Sequence, residues 1–390
     1  MPLDPTLSAQ LPELTAWRRD LHAHPELGFE EQRTAALVAE KLASWGIEVH
    51  RGIAGTGVVG TVQGRARGNR SIGLRADMDA LPLAELNKFA HVSTHPGRMH
   101  ACGHDGHTTM LLGAARELAE RRNFAGTVHL IFQPAEEGLG GAQRMLDEGL
   151  FTQFPCDAVY GLHNWPGMPF GTVGMRSGAM MAAMDSITIE VTGKGGHGAL
   201  PHLTVDPIVI SAQIITALQT LVSRSTDPLT AAVVSITAVQ GGMAHNVIPE
   251  RVRMLGTVRS FSGAVREALQ SGITRIAAGV AESLGALATV DYRRLAPAVV
   301  NAAREVAIAT RAAAAVVGAE QVASDITPIM GSEDFAVMLA AKPGAYVFLG
   351  QAGSAHSCMV HNPQYDFDDR LLPIGASYWL ALVQQELPLE

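Results

Sequence analysis

Within the nine residues Met99-His100-Ala101-Cys102-Gly103-His104-Asp105-Gly106-His107 stand one cysteine, three histidines and an aspartate. A thiolate two residues from an imidazole, on a glycine-interrupted loop that enters a helical-looking run over 108–122, suits a divalent metal of borderline softness. A histidine-rich turn around a buried structural cysteine has the same composition, so the chemistry depends on what else converges there. The adjacent pair Glu136-Glu137 is the second informative feature. Two neighbouring carboxylates do not comfortably stay charged together unless a cation holds one of them. If one ligates a metal, the other can take a proton from the water that the metal acidifies. A solvated acidic turn is the alternative reading. Cys102, His104, Glu137, His163 and His361 all fall at predicted strand-end loops. Five donors of mixed softness are too few for two closed sites, but they suffice for two metals sharing one bridge, with positions open to water and substrate.

The elements that must position these residues follow from periodicity. Four short apolar runs, 71–76, 127–132, 157–162 and 345–349, each lead at their C-terminal end into polar residues or a glycine. Strands separated by helical stretches imply a largely parallel sheet between helices, with functional groups beyond the carboxyl ends of the strands. Helices are expected near 11–22, 29–45, 301–317, 332–341 and 370–386. The start of the 332–341 helix, Gly331-Ser332-Glu333-Asp334-Phe335, has N–H groups that could face a substrate. Between residues 185 and 296 the order is β-α-β-β-α-β, a split βαβ sandwich large enough to fold alone as an insertion. Asp206-Pro207 caps its first helix. Gly55 to Gly60 matches GxGxxG, but the extended pattern continues over 61–64 where a helix should begin, so no dinucleotide site is expected.

With 390 residues, 47% hydrophobic and 17% charged, the chain is expected to be globular, with more than one core. A net charge of −8 and the lack of Lys/Arg runs argue against nucleic acid. Three widely spaced cysteines make no disulfide framework and suit a reducing compartment. Residues 1–19 show no signal region, and no run approaches 18 uninterrupted apolar residues, so a cytoplasmic protein without a membrane partner is expected.

Arg75-Ala76-Asp77-Met78-Asp79-Ala80-Leu81-Pro82, Met99 to Thr108, Phe132 to Gly138, Gly193-Lys194-Gly195-Gly196-His197, Asn246-Val247-Ile248-Pro249 and His361-Asn362-Pro363-Gln364-Tyr365-Asp366-Phe367 together resemble the M20 metallopeptidase family. They resemble most its amidohydrolase branch of hippurate hydrolases, indole-3-acetyl-amino-acid hydrolases and N-acyl-amino-acid deacetylases. The resemblance implies an α/β fold: a zinc-peptidase-like catalytic domain with a mostly parallel sheet (1–184 and 297–390). It is interrupted by an α+β, ferredoxin-like lid and dimerisation domain (185–296). It makes Cys102 the ligand shared by two divalent ions (Zn, Mn, Co or Ni), with His104 and His163 completing one site, and Glu137 and His361 the other. Glu136 falls at the family's catalytic base, and Asp79 at an acid behind the metal ligands that orients a ligand histidine. His197 matches a histidine brought to the substrate carbonyl from its own or a partner subunit, while Asn246 and Arg259 fall where relatives hold the substrate carboxylate. Other branches place histidine at Asp77, which is not counted as a ligand; His24, His95, His100, His107 and His356 are taken as structural or supporting.

The implied activity is hydrolysis of an N-acyl amino acid to a carboxylic acid and a free amino acid, by a homodimer or higher homo-oligomer joined through the lid. A dipeptidase or carboxypeptidase with the same site, and a metal-binding relative without turnover, are the alternatives. The motifs near the metals do not encode the acyl pocket.

Overall fold

The computed structural model describes residues 3–353 and 358–389. They form two compact units. The first comprises the described residues of Met1–Met180, Val300–Thr327 and Asp334–Glu390, the second Met181–Val299 with the short stretch Pro328–Glu333.

The first unit is built on an eight-stranded sheet in the order Glu48–Ile53, Gly57–Gln63, Ala125–Gln133, Ala66–Asp77, Ala158–Pro169, Gly344–Ala352, Val173–Gly174, Val322–Ala323. The central ladders, from Ala125–Gln133 through Ala66–Asp77 and Ala158–Pro169 to Gly344–Ala352, are parallel. Such strands need both faces covered, and Ile72 to Asp77 are accordingly all buried. The Leu11–Ala23, Gln32–Ser44, His104–Arg121, Ala303–Val317 and Leu372–Glu386 helices supply that cover. In Gln32–Ser44 the buried residues Ala35, Val38, Ala39 and Leu42 recur at helical spacing, and Gly46, with φ +70°, ends the turn. His104–Arg121 is buried almost all round, packed against Leu372–Glu386 on one side.

Two features depart from the sequence reading. Ala158–Pro169 continues well past 162, so His163 and Asn164 lie on the strand rather than beyond it. The ladder to Gly344–Ala352 carries on through Phe348↔His163 and Gly350↔Trp165, and the Trp165 and Phe348 rings stack at 4.8 Å. Glu48–Ile53 is an unforeseen edge strand, mostly exposed, so it carries no apolar pattern by which to find it. Gly57–Gln63 is paired on both sides as a strand, and the glycine pattern there opens no helix.

The second unit has a four-stranded antiparallel sheet in the order Ala232–Gln240, Arg251–Ser260, Ala183–Thr192, Leu287–Ala296, with the Pro207–Thr220 and Gly263–Ser283 helices packed on it. Ala183–Thr192 alternates buried and half-buried positions along its whole length. Asp206 accepts a hydrogen bond from the Ile208 N–H, and Ser262 from that of Val265, so both helices start on capped turns. Ile187, Ile189, Ile214, Leu218, Leu269 and Ile273 close a separate core. Pro207–Ser225 is long and apolar enough to cross a membrane by composition, but Ile210, Ile214 and Leu218 bury one face of it in that core. Pro328–Glu333 joins this unit through Met181↔Ile329 and hydrogen bonds from Ala182 N–H to the carbonyls of Ile329 and Gly331.

Candidate metal centre

The loop carrying Cys102 reaches its place because two glycines let it pack closely. Gly103 has φ +96°, and a Cβ there would lie 2.2 Å from Asn164 Oδ1; one on Gly106 would lie 2.3 Å from the Phe367 ring. Cys102 Sγ then stands 3.3 Å from His163 Nε2. His163 Nδ1 donates to the Asn164 carbonyl at 2.5 Å, and His104 Nδ1 donates to the Asp79 carbonyl at 2.8 Å. A carbonyl only accepts, so both rings keep their proton on Nδ1 and turn Nε2 to the sulfur side. His104 Nε2 is buried and has no hydrogen-bond partner.

Glu136 and Glu137 follow a reversal of the chain at Ala135, which takes φ +55°. For a residue with a Cβ this costs about 1 kcal/mol. It is held by Glu31, whose carboxylate accepts from the Ala135 N–H at 2.9 Å and from Thr56 Oγ1 at 2.6 Å. His361 also has positive φ, +65°, and its N–H donates to the Ala101 carbonyl at 2.7 Å, hanging this loop on the one that carries Cys102. Strain of this kind gathers at functional sites. His361 Nε2 lies 3.3 Å from Glu137 Oε1.

Three sets of donor atoms, each mutually within 4.8 Å, result: Cys102, His104 and His163; Cys102, Glu137 and His361; and His104, Glu136 and Glu137. Cys102 is common to the first two. Asp79 ties the halves together, one oxygen 3.3 Å from His104 Nδ1 and the other accepting from the Glu137 N–H at 3.0 Å. Asp77, His104 and His107 form a further set. There, however, Asp77 Oδ1 takes His107 Nδ1 at 2.6 Å, Oδ2 takes Arg75 Nη1 at 2.6 Å, and His107 Nε2 meets Asn164 Oδ1 at 2.8 Å. Those atoms are already committed, so Asp77 and His107 support the centre rather than offer free ligands.

The electrostatics point the same way. Burial and then Glu137 push the Cys102 thiol up, while burial and then His107 push His163 well below the ordinary histidine range. Burial opposes charge on His104, yet Asp77 and Cys102 outweigh it and raise its pKa well above the usual value. Hydrogen bonds to Cys102 and Glu137 lift His361 to about 10. Protons are thus held on the Cys102 thiol and the His104 and His361 rings, groups whose deprotonated forms bind metal. An orphaned buried imidazole nitrogen and a soft–borderline–hard donor mixture fit divalent ions.

Of the other histidines, His100 is buried without a hydrogen bond to either ring nitrogen, and burial holds it down to about 4. His24 Nδ1 bonds the Asp20 carbonyl, His95 is exposed, and His356 lies outside the described residues. In the second unit, His197 is exposed and paired with Val247, and the Gly198 N–H donates to the Asn246 carbonyl at 2.8 Å, so these two motifs meet. Arg259 is not with them. It pairs with Met184 at one end of Ala183–Thr192, whereas the His197 loop leaves from the other end, where Thr192 pairs with Arg251. The strand from Met184 to Thr192 is roughly 26 Å long. Arg259 is half-buried, its guanidinium bonded to Thr257 Oγ1 and the Val258 carbonyl.

Residues 73–385 match the model of peptidase family M20/M25/M40. The chain is 43% identical to a hippurate hydrolase of Campylobacter jejuni, with 95% of each chain covered. It is 40% identical to an N-acetylcysteine deacetylase of Bacillus subtilis, with 94% of each covered. The structure of Bacillus subtilis YXEP protein, described as a dinuclear metal binding peptidase of family M20, superposes with a TM-score of 0.83 at 37% identity, covering 96% of this chain and 98% of that one. A likeness that runs the length of both units is more than a shared loop: the chain belongs to the M20/M25/M40 peptidase family, in its amidohydrolase branch, and hydrolyses amides.

Proposed function

We propose that this protein cleaves N-acyl amino acids, hippurate-like, N-acetyl or arylacetyl, to a carboxylic acid and a free amino acid. The observation that carries the reading is the position of Glu136. Its carboxylate lies within 4.8 Å of donor atoms of His104 and Glu137 but outside both sets that contain Cys102. Cys102 with His104 and His163 would hold one divalent ion, and Cys102 with Glu137 and His361 the other, zinc, manganese, cobalt and nickel all suiting such donors. Ions bound there supply Lewis acidity to the scissile carbonyl and make a water more acidic. Glu136 takes the proton of the attacking water and returns it to the departing amine. Asp79 keeps the His104 ring and the Glu137 backbone in register.

His197 contributes to the oxyanion, and Asn246 and Arg259 to the substrate carboxylate. Because one strand length separates Arg259 from the His197–Asn246 pair, both groups serve one substrate only when two copies contribute to it. This supports a homodimer through the second unit. Ile208 and Val209, 45% and 53% exposed on an uncharged helix face, are suited to such a contact. A reducing cytoplasm suits three unpaired cysteines, one of them a shared metal ligand.

Replacing Glu136 with glutamine should leave metal content intact and lower kcat by about 10²–10⁴-fold. A Glu136→Gln enzyme that keeps its activity would reject the role. A panel of hippurate, N-acetyl and indoleacetyl amino acids and dipeptides defines the acyl group; preference for free dipeptides would turn the reading to a dipeptidase.

A further inference from the structure

Behind Glu136 lies a buried charge pair that the reaction as described does not use. The peptide N–H of Asp334 donates to Glu136 Oε1 at 3.4 Å. That N–H is aimed by the Asp334 side chain, itself fixed from three directions. Its Oδ1 accepts from Arg75 Nη2 at 3.2 Å and Gln133 Nε2 at 2.7 Å, and its Oδ2 accepts from the Ala142 N–H at 2.9 Å. Arg75 has no exposed side-chain surface and is locked in turn: Nε donates to Gln133 Oε1 at 2.8 Å, Nη1 to Asp77 Oδ2 at 2.6 Å, and the Phe335 ring lies 5.6 Å from its guanidinium. Of the N–H groups in the turn Gly331-Ser332-Glu333-Asp334-Phe335, that of Asp334 points at Glu136.

A buried ion pair is a poor way to gain stability, because desolvating both charges offsets most of their attraction and apolar residues of equal volume do as well or better. What it gives here is a direction. We propose that Asp334 is a positioning residue for Glu136, holding one carboxylate oxygen against its own peptide N–H so that the base keeps a single orientation for proton transfer. Gln133 and Arg75 hold Asp334 for the same purpose. The inference rests on Glu136 being the proton acceptor.

The test is a set of variants of the full-length, metal-loaded protein: Asp334→Ala, Gln133→Met and Glu136→Gln, and each of the first two combined with Glu136→Gln. Each is measured for kcat, KM, metals per chain and melting temperature on one N-acyl amino acid. Misplacing the base in Asp334→Ala is expected to lower kcat about 10- to 100-fold with KM changed by no more than about threefold and metals retained. Gln133→Met shifts kcat the same way by less, and carries the test if Asp334→Ala does not fold. In the Glu136→Gln background neither change should lower kcat further, since there is no base left to aim. Unchanged kcat, a loss that follows metal content, or a loss that multiplies with that of Glu136→Gln would overturn the positioning role. Full activity in Glu136→Gln alone would instead overturn the reading of the base, so the two failures are distinguishable.

Discussion

In the proposed centre both ions depend on Cys102, whose sulfur is the donor common to the Cys102–His104–His163 and Cys102–Glu137–His361 sets. That makes metal stoichiometry a sharper probe than activity. Removing the sulfur in Cys102→Ala takes a ligand from both sites, so both ions should be lost on dialysis, whereas His361→Ala should lose one and keep the other near Cys102, His104 and His163. Metal analysis after extensive dialysis checks this; a Cys102→Ala protein that keeps two ions per chain would break the bridge. Cys102, His104 and the Glu136-Glu137 pair were legible in the sequence because their chemistry is local: short spacing, mixed softness, adjacent charges. Arg75, Asn164 and the side chain of Asp334 were not legible as parts of the centre. Their roles are set by partners far away in the chain, as between Arg75 and Asp334 or Asn164 and Tyr365, and no spacing rule reports such contacts.

The start of the His104–Arg121 helix is held in place by charge as well as by its glycines. Asp105, fully buried, meets His22 Nδ1 at 2.8 Å and Arg18 at 3.6 Å, and His22 Nε2 faces Glu85 at 3.2 Å. Arg18 also grips Asp366 and Asp369 near the C-terminal helix. Burial works against a charged His22, but Asp105 and Glu85 overcome it and raise its pKa from 6.5 to about 9. A raised histidine pKa stabilises the fold fully below the unfolded value and ceases to do so as pH climbs through the folded one. Stability should therefore decline between pH 6.5 and about 9, by an amount of order 1–3 kcal/mol, a decline that His22→Gln abolishes. Thermal melts of both proteins across that range read it directly; parallel curves would remove His22 from the account. Among the elements themselves, buried strands and amphipathic helices announced their position by apolar period. Glu48–Ile53 did not, being an exposed edge, and Ala158–Pro169 runs beyond its apolar stretch because its ladder partner, not its own composition, prolongs it.

At the scale of the molecule, all five proposed ligands, with Glu136 and Asp79, lie in the first unit, and His197, Asn246 and Arg259 lie in the second. The β-α-β-β-α-β order of the second unit was readable because it contrasts with the strand–helix alternation on either side; the return of Pro328–Glu333 was not, since it pairs through a few backbone groups with no pattern of its own. The chain leaves the first unit along Gly178–Met181 and comes back along Val299–Asn301, and these two strands pair with each other. Paired strands lie about 5 Å apart, and Gly178–Met181 is only about 13 Å long, whereas a flexible linker of about eight Gly/Ser residues spans about 16 Å. Replacing residues 182–298 by such a linker should thus leave the large sheet and its core intact. The shortened protein is expected to fold cooperatively and bind two divalent ions per chain, since no proposed ligand has been removed. It should also turn over N-acyl amino acids far more slowly than the whole chain, since the groups assigned to the oxyanion and the substrate carboxylate are gone. Metal titration and kinetics on the same preparation separate the two functions. If the shortened chain bound no metal despite a cooperative melt, the centre would need the second unit for its assembly; if it kept full turnover, His197, Asn246 and Arg259 would have no part in the reaction.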